Sequence, residues 1–195
     1  MTTDGALPTH VGFEDALHID WFDPAELGGG LPGRLGLTFL PGKNGASIRY
    51  PGRAYARDTV ADLVALRAAG VVRLVLLVDD DELARWGDPR IIEFGRAAGV
   101  DVLRHPLTDG AAPDSHEAIL AILAEVDDAR SRGDVAVACM GGVGRSGTVA
   151  ACALVRGGRS AADAIDRVRE VRHPTAVETD AQQRFVRSYA ERVAG

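Results

Sequence analysis

The stretch that decides the fold is VAVACMGGVGRSGTV, residues 135–149. Its first five residues are small and apolar, which predicts a short buried strand. Glycines and an arginine follow, and from residue 144 the small and apolar residues predict a helix that continues to residue 156. The stretch is therefore a strand, a glycine-rich turn and a helix, with Cys139 at the carboxyl end of the strand.

Strand-like and helix-like segments alternate ahead of this stretch, and further helices follow it. Apolar runs predict strands at residues 35–40, 71–78 and 102–105. Apolar residues at helical spacing predict helices at residues 57–69, 89–98, 115–132, 160–172 and 178–193. The alternation predicts an α/β fold, a single domain with a central, mostly parallel sheet flanked by helices on both faces. Ligands of such sheets bind beyond the carboxyl ends of the strands.

The bulk composition limits the number of domains and the kinds of partner. A chain of 195 residues with a hydrophobic fraction of 46% can build one well-filled domain. We expect residues 1–17, which are polar and mixed, to form a mobile N-terminal segment ahead of a domain at residues 18–195. The net charge of -6 argues against a nucleic-acid or anionic-membrane partner, since both attract positive surfaces.

The two cysteines bear on the compartment. Cys139 and Cys152 are too few for the disulfide framework of a small secreted domain, so both are interpreted as thiols in a reducing compartment. The expected location is the cytoplasm. Cys152 stands among alanines within a predicted helix and is interpreted as a small core residue.

The turn after Cys139 has the composition of a phosphate-binding loop. Glycines let successive backbone N–H groups curl around an anion, and a helix N-terminus adds donors and a favourable dipole. The planar guanidinium of Arg145 can bind two phosphate oxygens, and a cysteine in this position has a lowered pKa. The predicted phosphate-binding residues are Met140, Gly141, Gly142, Val143, Gly144 and Arg145.

Two other interpretations of the turn are less consistent with its residues. A core cysteine before a tight strand-to-helix turn would not need a polar arginine at its centre. A nucleotide-binding Walker loop would need the sequence Gly-Lys-Ser/Thr, which is missing.

The loop resembles the signature of the protein tyrosine phosphatase superfamily, which reads His-Cys, five residues, then Arg-Ser/Thr. Further stretches resemble the kinase-associated branch of the dual-specificity phosphatases: LGL and LPG within residues 35–42, HPLTDG at 105–110, PD at 113–114, AI at 164–165 and ETDAQ at 178–182. The resemblance covers residues 18–192. It implies a cysteine-based phosphatase fold with no cofactor and no metal.

The resemblance also implies catalytic roles. Cys139 would be the nucleophile, Arg145 the phosphate clamp, and Ser146 the donor to the departing thiolate. Asp109 would be the general acid, which protonates the leaving oxygen and later activates water. From the residues alone, Asp109 lies in a loop after a strand, at the sheet edge where Cys139 is expected. Its nearest competitor is Asp114, which is interpreted as a helix cap or first-turn acid.

Three positions depart from the family pattern. Ala138 stands where the family has histidine, which weakens the expected support of the thiolate. Glu178 replaces the first glutamine of a Gln-Thr-x-x-Gln stretch, and Gln183 replaces the family's tyrosine. Gln182 matches the pattern and is interpreted as a helix-surface residue or a group that orients water.

The remaining aromatic and histidine residues suggest no second site. Trp21, Trp86 and the tyrosines are interpreted as packing residues rather than as a binding surface. His105 and His173 show no metal-ligand spacing with other residues.

The predicted activity is hydrolysis of phosphate monoesters through a phosphocysteine intermediate. The loop residues between Cys139 and Arg145 are uncharged, which favours a phosphorylated protein as substrate, through phosphotyrosine, phosphoserine/threonine or both. Two alternatives stay open: a phosphate-recognising binding module with weak turnover, and a phosphatase of small molecules or inositol phosphates. The oligomeric state is not predicted.

We predict that the Cys139 thiol is less acidic than is usual in this family, because Ala138 cannot replace the histidine that helps to hold the thiolate. The pH dependence of iodoacetamide alkylation measures this acidity. A midpoint at about pH 5, within the range of strongly activated cysteines, would contradict the prediction.

Overall fold

The computed structural model describes residues 17–47 and 50–194. Its strands are β1 Asp20–Phe22, β2 Leu35–Phe39, β3 Asn44–Ala46, β4 Ala54–Ala56, β5 Val71–Leu76, β6 Asp101–Arg104 and β7 Asp134–Cys139. Its helices are α1 Pro24–Leu27, α2 Thr59–Ala68, α3 Asp80–Trp86, α4 Ile91–Ala98, α5 His116–Arg130, α6 Arg145–Arg156, α7 Ala161–Val171 and α8 Asp180–Ala194. No helix within the described ranges combines the length and the apolar character that a membrane crossing requires.

A five-stranded sheet in the order β1-β2-β7-β5-β6 forms the centre of the fold. Strand β1 is antiparallel to β2, and the other pairs are parallel. Phe39 pairs with Cys139, and Leu76 pairs with Ala138, so β2, β5 and β7 end at the same edge of the sheet. The predicted single α/β domain with a mostly parallel sheet is confirmed, and Cys139 lies at the edge where ligands of such sheets bind.

Helices cover both faces of the sheet because alternate strand residues point to opposite sides. In β7, Val135 and Val137 pack into one core cluster with residues of α1, α5, α6, α7 and α8. Ala136 and Ala138 pack into a second cluster with residues of α2, α3 and α4. The strand is apolar on both faces, as expected of a central parallel strand.

Helix α6 runs through the interior, and its residues from Arg145 to Val155 are all buried. It packs against α1, α5, α7 and α8, as well as against β2 and β7. Small residues permit this close packing: a Cβ atom on Gly147 would lie 3.2 Å from the backbone nitrogen of Val177. The helix that starts at Arg145 is therefore held on all sides.

Several short elements were not predicted. Strand β1 and helix α1 have three and four residues, too few for a periodic signal. Helix α3 begins in the acidic run that follows the predicted strand at residues 71–78, where no helix was predicted. Helix α4 begins at Ile91, so Pro89 lies in the preceding turn instead of the first turn of the helix.

Two segments bear on the expected domain limits and connections. Residues 43–52, where no strand was predicted, contain strand β3, which pairs with β4 as an antiparallel hairpin. Of the expected mobile segment 1–17, residues 1–16 lie outside the described ranges, and Leu17 packs into the second core cluster.

Replacing Leu154 by alanine should lower the free energy of unfolding by about 3 kcal/mol, because the side chain is fully buried in α6 and its loss leaves a cavity. Leu120→Ala is the matched control, since Leu120 is 46% exposed. It should change the free energy by less than about 0.5 kcal/mol. Urea unfolding followed by circular dichroism compares the two, and equal losses would contradict the packing described for α6.

Candidate active site

Cys139 is the last residue of β7 and is only 3% exposed. Residues 140–144 form the loop that leads to Arg145, the first residue of α6. This phosphate loop, defined here as residues 139–145, lies at the carboxyl edge of the sheet. Since β7 and α6 are both buried, the two ends of the loop are fixed.

A close approach of the backbone requires glycine at one position of the phosphate loop. Gly142 has a positive φ of 69°, and a Cβ atom there would lie 2.4 Å from the carbonyl oxygen of Thr38. A Cβ atom on Gly144 would lie 2.5 Å from Oε2 of Glu178, so a larger residue there would displace that side chain. The loop can therefore fold this tightly only with glycine at position 142.

The pKa of the Cys139 thiol is lowered. Burial by itself raises it, but the positive charge of Arg145 outweighs burial together with donors from Ser146 and Gly141. The Ser146 contribution comes from its side chain and its backbone N–H. Because Ser146 Oγ is buried with no partner of its own within the described ranges, it can act on the sulfur. The thiolate form of Cys139 is thus favoured more than that of an ordinary cysteine.

Arg145 is almost completely buried, with 1% of its surface exposed. Nη1 and Nη2 donate to the two carboxylate oxygens of Glu82 at 2.5 and 2.7 Å, and Nη1 also donates to the carbonyl oxygen of Leu107 at 2.9 Å. Burial lowers the pKa of the guanidinium, but the negative groups Glu82, Cys139 and Asp109 raise it by more than burial lowers it. The net pKa is therefore raised, and the group stays charged. Nε is buried and has no hydrogen-bond partner among the described residues.

Glu82 is a site residue that the sequence analysis missed. It is the third residue of α3, and its carboxylate also accepts a hydrogen bond from the backbone of Asp79 in a capping box. The capping box therefore helps to hold the Glu82 carboxylate in the position where it pairs with Arg145. The acidic run at residues 79–82 was the only local signal for Glu82. Such a run indicates the start of a helix, but it does not indicate an ion pair with an arginine 63 residues away.

Asp109 lies beside Arg145 at the mouth of the site. Its Oδ1 is 2.9 Å from Nη2 of Arg145, and its side chain is 78% exposed. The residues after it are anchored to the start of α8: Thr179 donates to the carbonyl oxygen of Gly110 at 2.8 Å, and Gln182 donates to that of Ala111 at 3.1 Å.

The structure contradicts two interpretations made from the sequence, those of Gln182 and Asp114. Gln182 is fully buried, so it is not a helix-surface residue. Asp114 is exposed, and Ser115 is the N-cap of α5, so the interpretation of Asp114 as the cap was wrong.

A cavity of about 540 Å³ opens above the phosphate loop. Met140, Gly141 and Val143 line its base, while Glu82, Asp109 and Glu178 bring carboxylates to its walls. Aromatic side chains form much of the remaining wall: Phe39, Tyr50, Tyr55 and Trp86. The interpretation of Trp86 and these tyrosines as packing residues alone was therefore wrong.

The hairpin of β3 and β4 contributes to the outer wall of the cavity. A Cβ atom on Gly45 would lie 2.7 Å from a ring carbon of Trp86, the last residue of α3. The Trp86 indole therefore packs directly on the backbone of the hairpin. Lys43 lies 4.0 Å from the ring centre of Tyr55. Helix α3 thus supports both the arginine, through Glu82, and the outer wall, through Trp86.

The remaining candidates lie apart from this chemistry. Cys152 is fully buried in α6, and burial raises the pKa of its thiol, as expected of a core residue. Within the described ranges, no three His, Cys, Asp or Glu side chains come together in a group that could hold a metal ion.

Comparison with known proteins agrees with this arrangement. Residues 48–159, more than half of the chain, match the family model described as "Tc-R-P: Polymorphic toxin system, DSP-PTPase phosphatase". Among curated proteins, the chain is 26% identical over 181 residues to cyclin-dependent kinase inhibitor 3 of Homo sapiens, covering 91% of this chain and 81% of the relative. The Rattus norvegicus protein of that name is 29% identical, with coverage of 82% and 73%.

Solved structures give the same answer. The fold matches a crystal structure of kinase associated phosphatase, whose catalytic-site cysteine is replaced by serine, with a TM-score of 0.79, 24% identity and coverage of 93% of this chain and 98% of the other. It also matches Tk-PTP in its active form with a TM-score of 0.65, 31% identity and coverage of 82% and 93%. The chain belongs to the DSP-PTPase phosphatases, and it is a cysteine-based phosphoric monoester hydrolase.

Proposed function

We propose that this phosphatase acts on phosphorylated proteins through a phosphocysteine intermediate formed on Cys139, in a catalytic domain of residues 18–195. The observation that carries the proposal is a buried thiol whose pKa is lowered by a buried arginine at the base of an open cavity. A thiolate is the reactive form of cysteine, and a fixed guanidinium suits a phosphate group.

In the first step the Cys139 sulfur attacks phosphorus, a sulfur–phosphorus bond forms, and the bond to the ester oxygen breaks. Arg145 has its buried Nε available for one phosphate oxygen. A second oxygen can take the place on Nη2 that Asp109 occupies. The carboxylate of Asp109 is then released beside the leaving oxygen, takes up a proton from solvent, and donates that proton to the leaving oxygen as the general acid.

In the second step water attacks the phosphocysteine. Asp109, now ionised, accepts a proton from the water, an oxygen–phosphorus bond forms, and the sulfur–phosphorus bond breaks. The sulfur leaves as a thiolate. Ser146 supports its departure, because its hydroxyl and backbone N–H favour the negative charge on sulfur.

The phosphate would be held by the phosphate-binding residues of the loop. These are Met140, Gly141, Gly142, Val143, Gly144 and Arg145. Their backbone N–H groups would surround the oxygens at the helix N-terminus, and no charged side chain stands between Cys139 and Arg145. A substrate that carries several phosphates would find no extra cation within the loop itself, which supports a protein substrate over an inositol phosphate.

The walls of the cavity support phosphotyrosine among the accepted side chains. A phenyl ring above the loop would pass between aromatic side chains, where offset or edge-to-face contacts are favourable. A kinase-type partner is suggested only by the names of the relatives cyclin-dependent kinase inhibitor 3 and kinase associated phosphatase.

Hydrolysis of p-nitrophenyl phosphate should be readily measured with the native chain and lost in Cys139→Ser, since the hydroxyl is a far weaker nucleophile. If the chain were a binding module with weak turnover, the native chain and Cys139→Ser would both bind phosphate and would be similarly inactive.

Asp109→Ala should lower turnover by about 100-fold, because the leaving oxygen then departs without a proton donor. Asp114→Ala is the matched control and should retain activity; the opposite ranking would transfer the acid role to Asp114.

Glu82→Gln should lower the free energy of unfolding by about 3 kcal/mol, because it leaves the buried Arg145 without its charged partner. Inorganic phosphate should raise the melting temperature of this variant more than that of the native chain, since the anion replaces the missing charge. Asp81→Asn, at an exposed position of the same helix, is the control and should behave like the native chain. Equal stability of both variants would show that Glu82 does not hold the arginine.

A further inference from the structure

Arg172 contacts the phosphate loop but is not among the residues that line the cavity. It follows the last residue of α7, and its side chain is fully buried. Nε donates to the carbonyl oxygen of Gly142 at 3.0 Å, and Nη2 donates to that of Gly141 at 2.9 Å. Nη1 forms an ion pair with Asp20 at 2.5 Å. One guanidinium thus holds two consecutive carbonyl groups of the loop.

The next two carbonyl groups are also held on the outside of the loop. The backbone nitrogen of Val177 donates to the carbonyl oxygen of Val143 at 3.3 Å. Thr148 donates to that of Gly144 through both its backbone nitrogen and its hydroxyl, each at 2.9 Å. Residues 141–144 therefore all have their carbonyl oxygens engaged.

The orientation of these carbonyl groups fixes the orientation of the N–H groups. In a planar trans peptide the C=O and the following N–H point in opposite directions. When the carbonyls of Gly141 and Gly142 point to Arg172, the N–H groups of Gly142 and Val143 point away from it, towards the inner side of the loop. Glycine peptides do not hold such an orientation by themselves, because glycine has many accessible conformations.

We propose that Arg172 is a positioning residue of the phosphatase, whose guanidinium holds the two glycine peptides so that their N–H groups face the phosphate and the Cys139 sulfur. This inference rests on the proposed phosphate site. Ala138 and the uncharged loop side chains offer no donor to these carbonyls. Among the described residues, Arg172 is the one whose side chain donates to Gly141 and Gly142.

Arg172 acts through geometry more than through its charge. Its ion pair with Asp20 balances the guanidinium, and Asp20 is in turn in contact with His18 Nε2 at 2.8 Å. The planar fork of an arginine can reach two neighbouring carbonyls at once, whereas the ammonium of lysine is a single point on a flexible stem. Arg172→Lys is therefore expected to keep the charge and lose part of the positioning.

The test compares Arg172→Met with Arg130→Met. Arg130 is also almost fully buried, with 1% of its surface exposed, and it donates to the carbonyl oxygen of Gly33 at 2.9 Å and pairs with Asp127. Gly33 precedes β2, so this contact lies at the edge of the sheet opposite Cys139. Both substitutions remove a buried arginine from backbone carbonyls, but only one of these arginines touches the phosphate loop.

Two readouts separate positioning from general stability: the pH midpoint of iodoacetamide alkylation of Cys139, and inhibition of p-nitrophenyl phosphate hydrolysis by inorganic phosphate. In Arg172→Met the alkylation midpoint should rise by about one pH unit, and phosphate should inhibit about 10-fold more weakly, because the inward N–H groups stabilise both anions. In Arg130→Met both values should equal those of the native chain, although both variants lose stability.

The proposal is overturned if Arg172→Met matches Arg130→Met in both readouts. Should Arg172→Met fail to fold, Arg172→Lys takes its place: an intermediate shift in both readouts supports the proposal, and native values overturn it. Absence of hydrolysis by the native chain would count against the proposed function instead, and the alkylation midpoints of the variants would still report on the loop.

Discussion

The pairing of a buried guanidinium with anions is the interaction on which the site depends. Arg145 is removed from water at the start of an interior helix, so its charge must always be balanced nearby. Glu82 supplies the permanent partner and is itself fixed by the capping box of α3. The Cys139 sulfur lies within the same positive field, which lowers the pKa of its thiol. The reactivity of the cysteine is therefore a property of the arginine's surroundings.

The fold makes that pairing rigid. Strand β7 ends at Cys139 in the middle of the sheet, and α6 starts six residues later in the interior. Sites built between such elements hold their groups more precisely than sites on surface loops. Asp109, at the exposed mouth, combines an anchored following segment with a side chain largely in water. In the proposed mechanism the rigid part binds the phosphate, and the exposed Asp109 transfers protons.

The sequence revealed the parts of the site that are local. The strand, the glycines and the arginine of the phosphate loop are contiguous, and the parallel sheet follows from the alternation of elements. Glu82 and Arg172 escaped notice because their partners lie 63 and 31 residues away, and no local pattern links them. The β3–β4 hairpin was missed because its strands have three residues each and β3 consists largely of the turn-forming residues Asn44 and Gly45. Trp86 was assigned to packing because sequence cannot tell which side of an aromatic residue faces a cavity.

Under the proposed mechanism, the ion pair between Asp109 and Arg145 makes substrate capture an exchange of anions. A phosphate ester would then displace the carboxylate of Asp109 instead of entering an open cationic site, so part of its attraction to the guanidinium would be cancelled. The same competition operates in reverse after hydrolysis, when the returning carboxylate helps to expel inorganic phosphate. The resting site thus gives up affinity for both substrate and product, and in return it is less easily saturated by the phosphate that it releases.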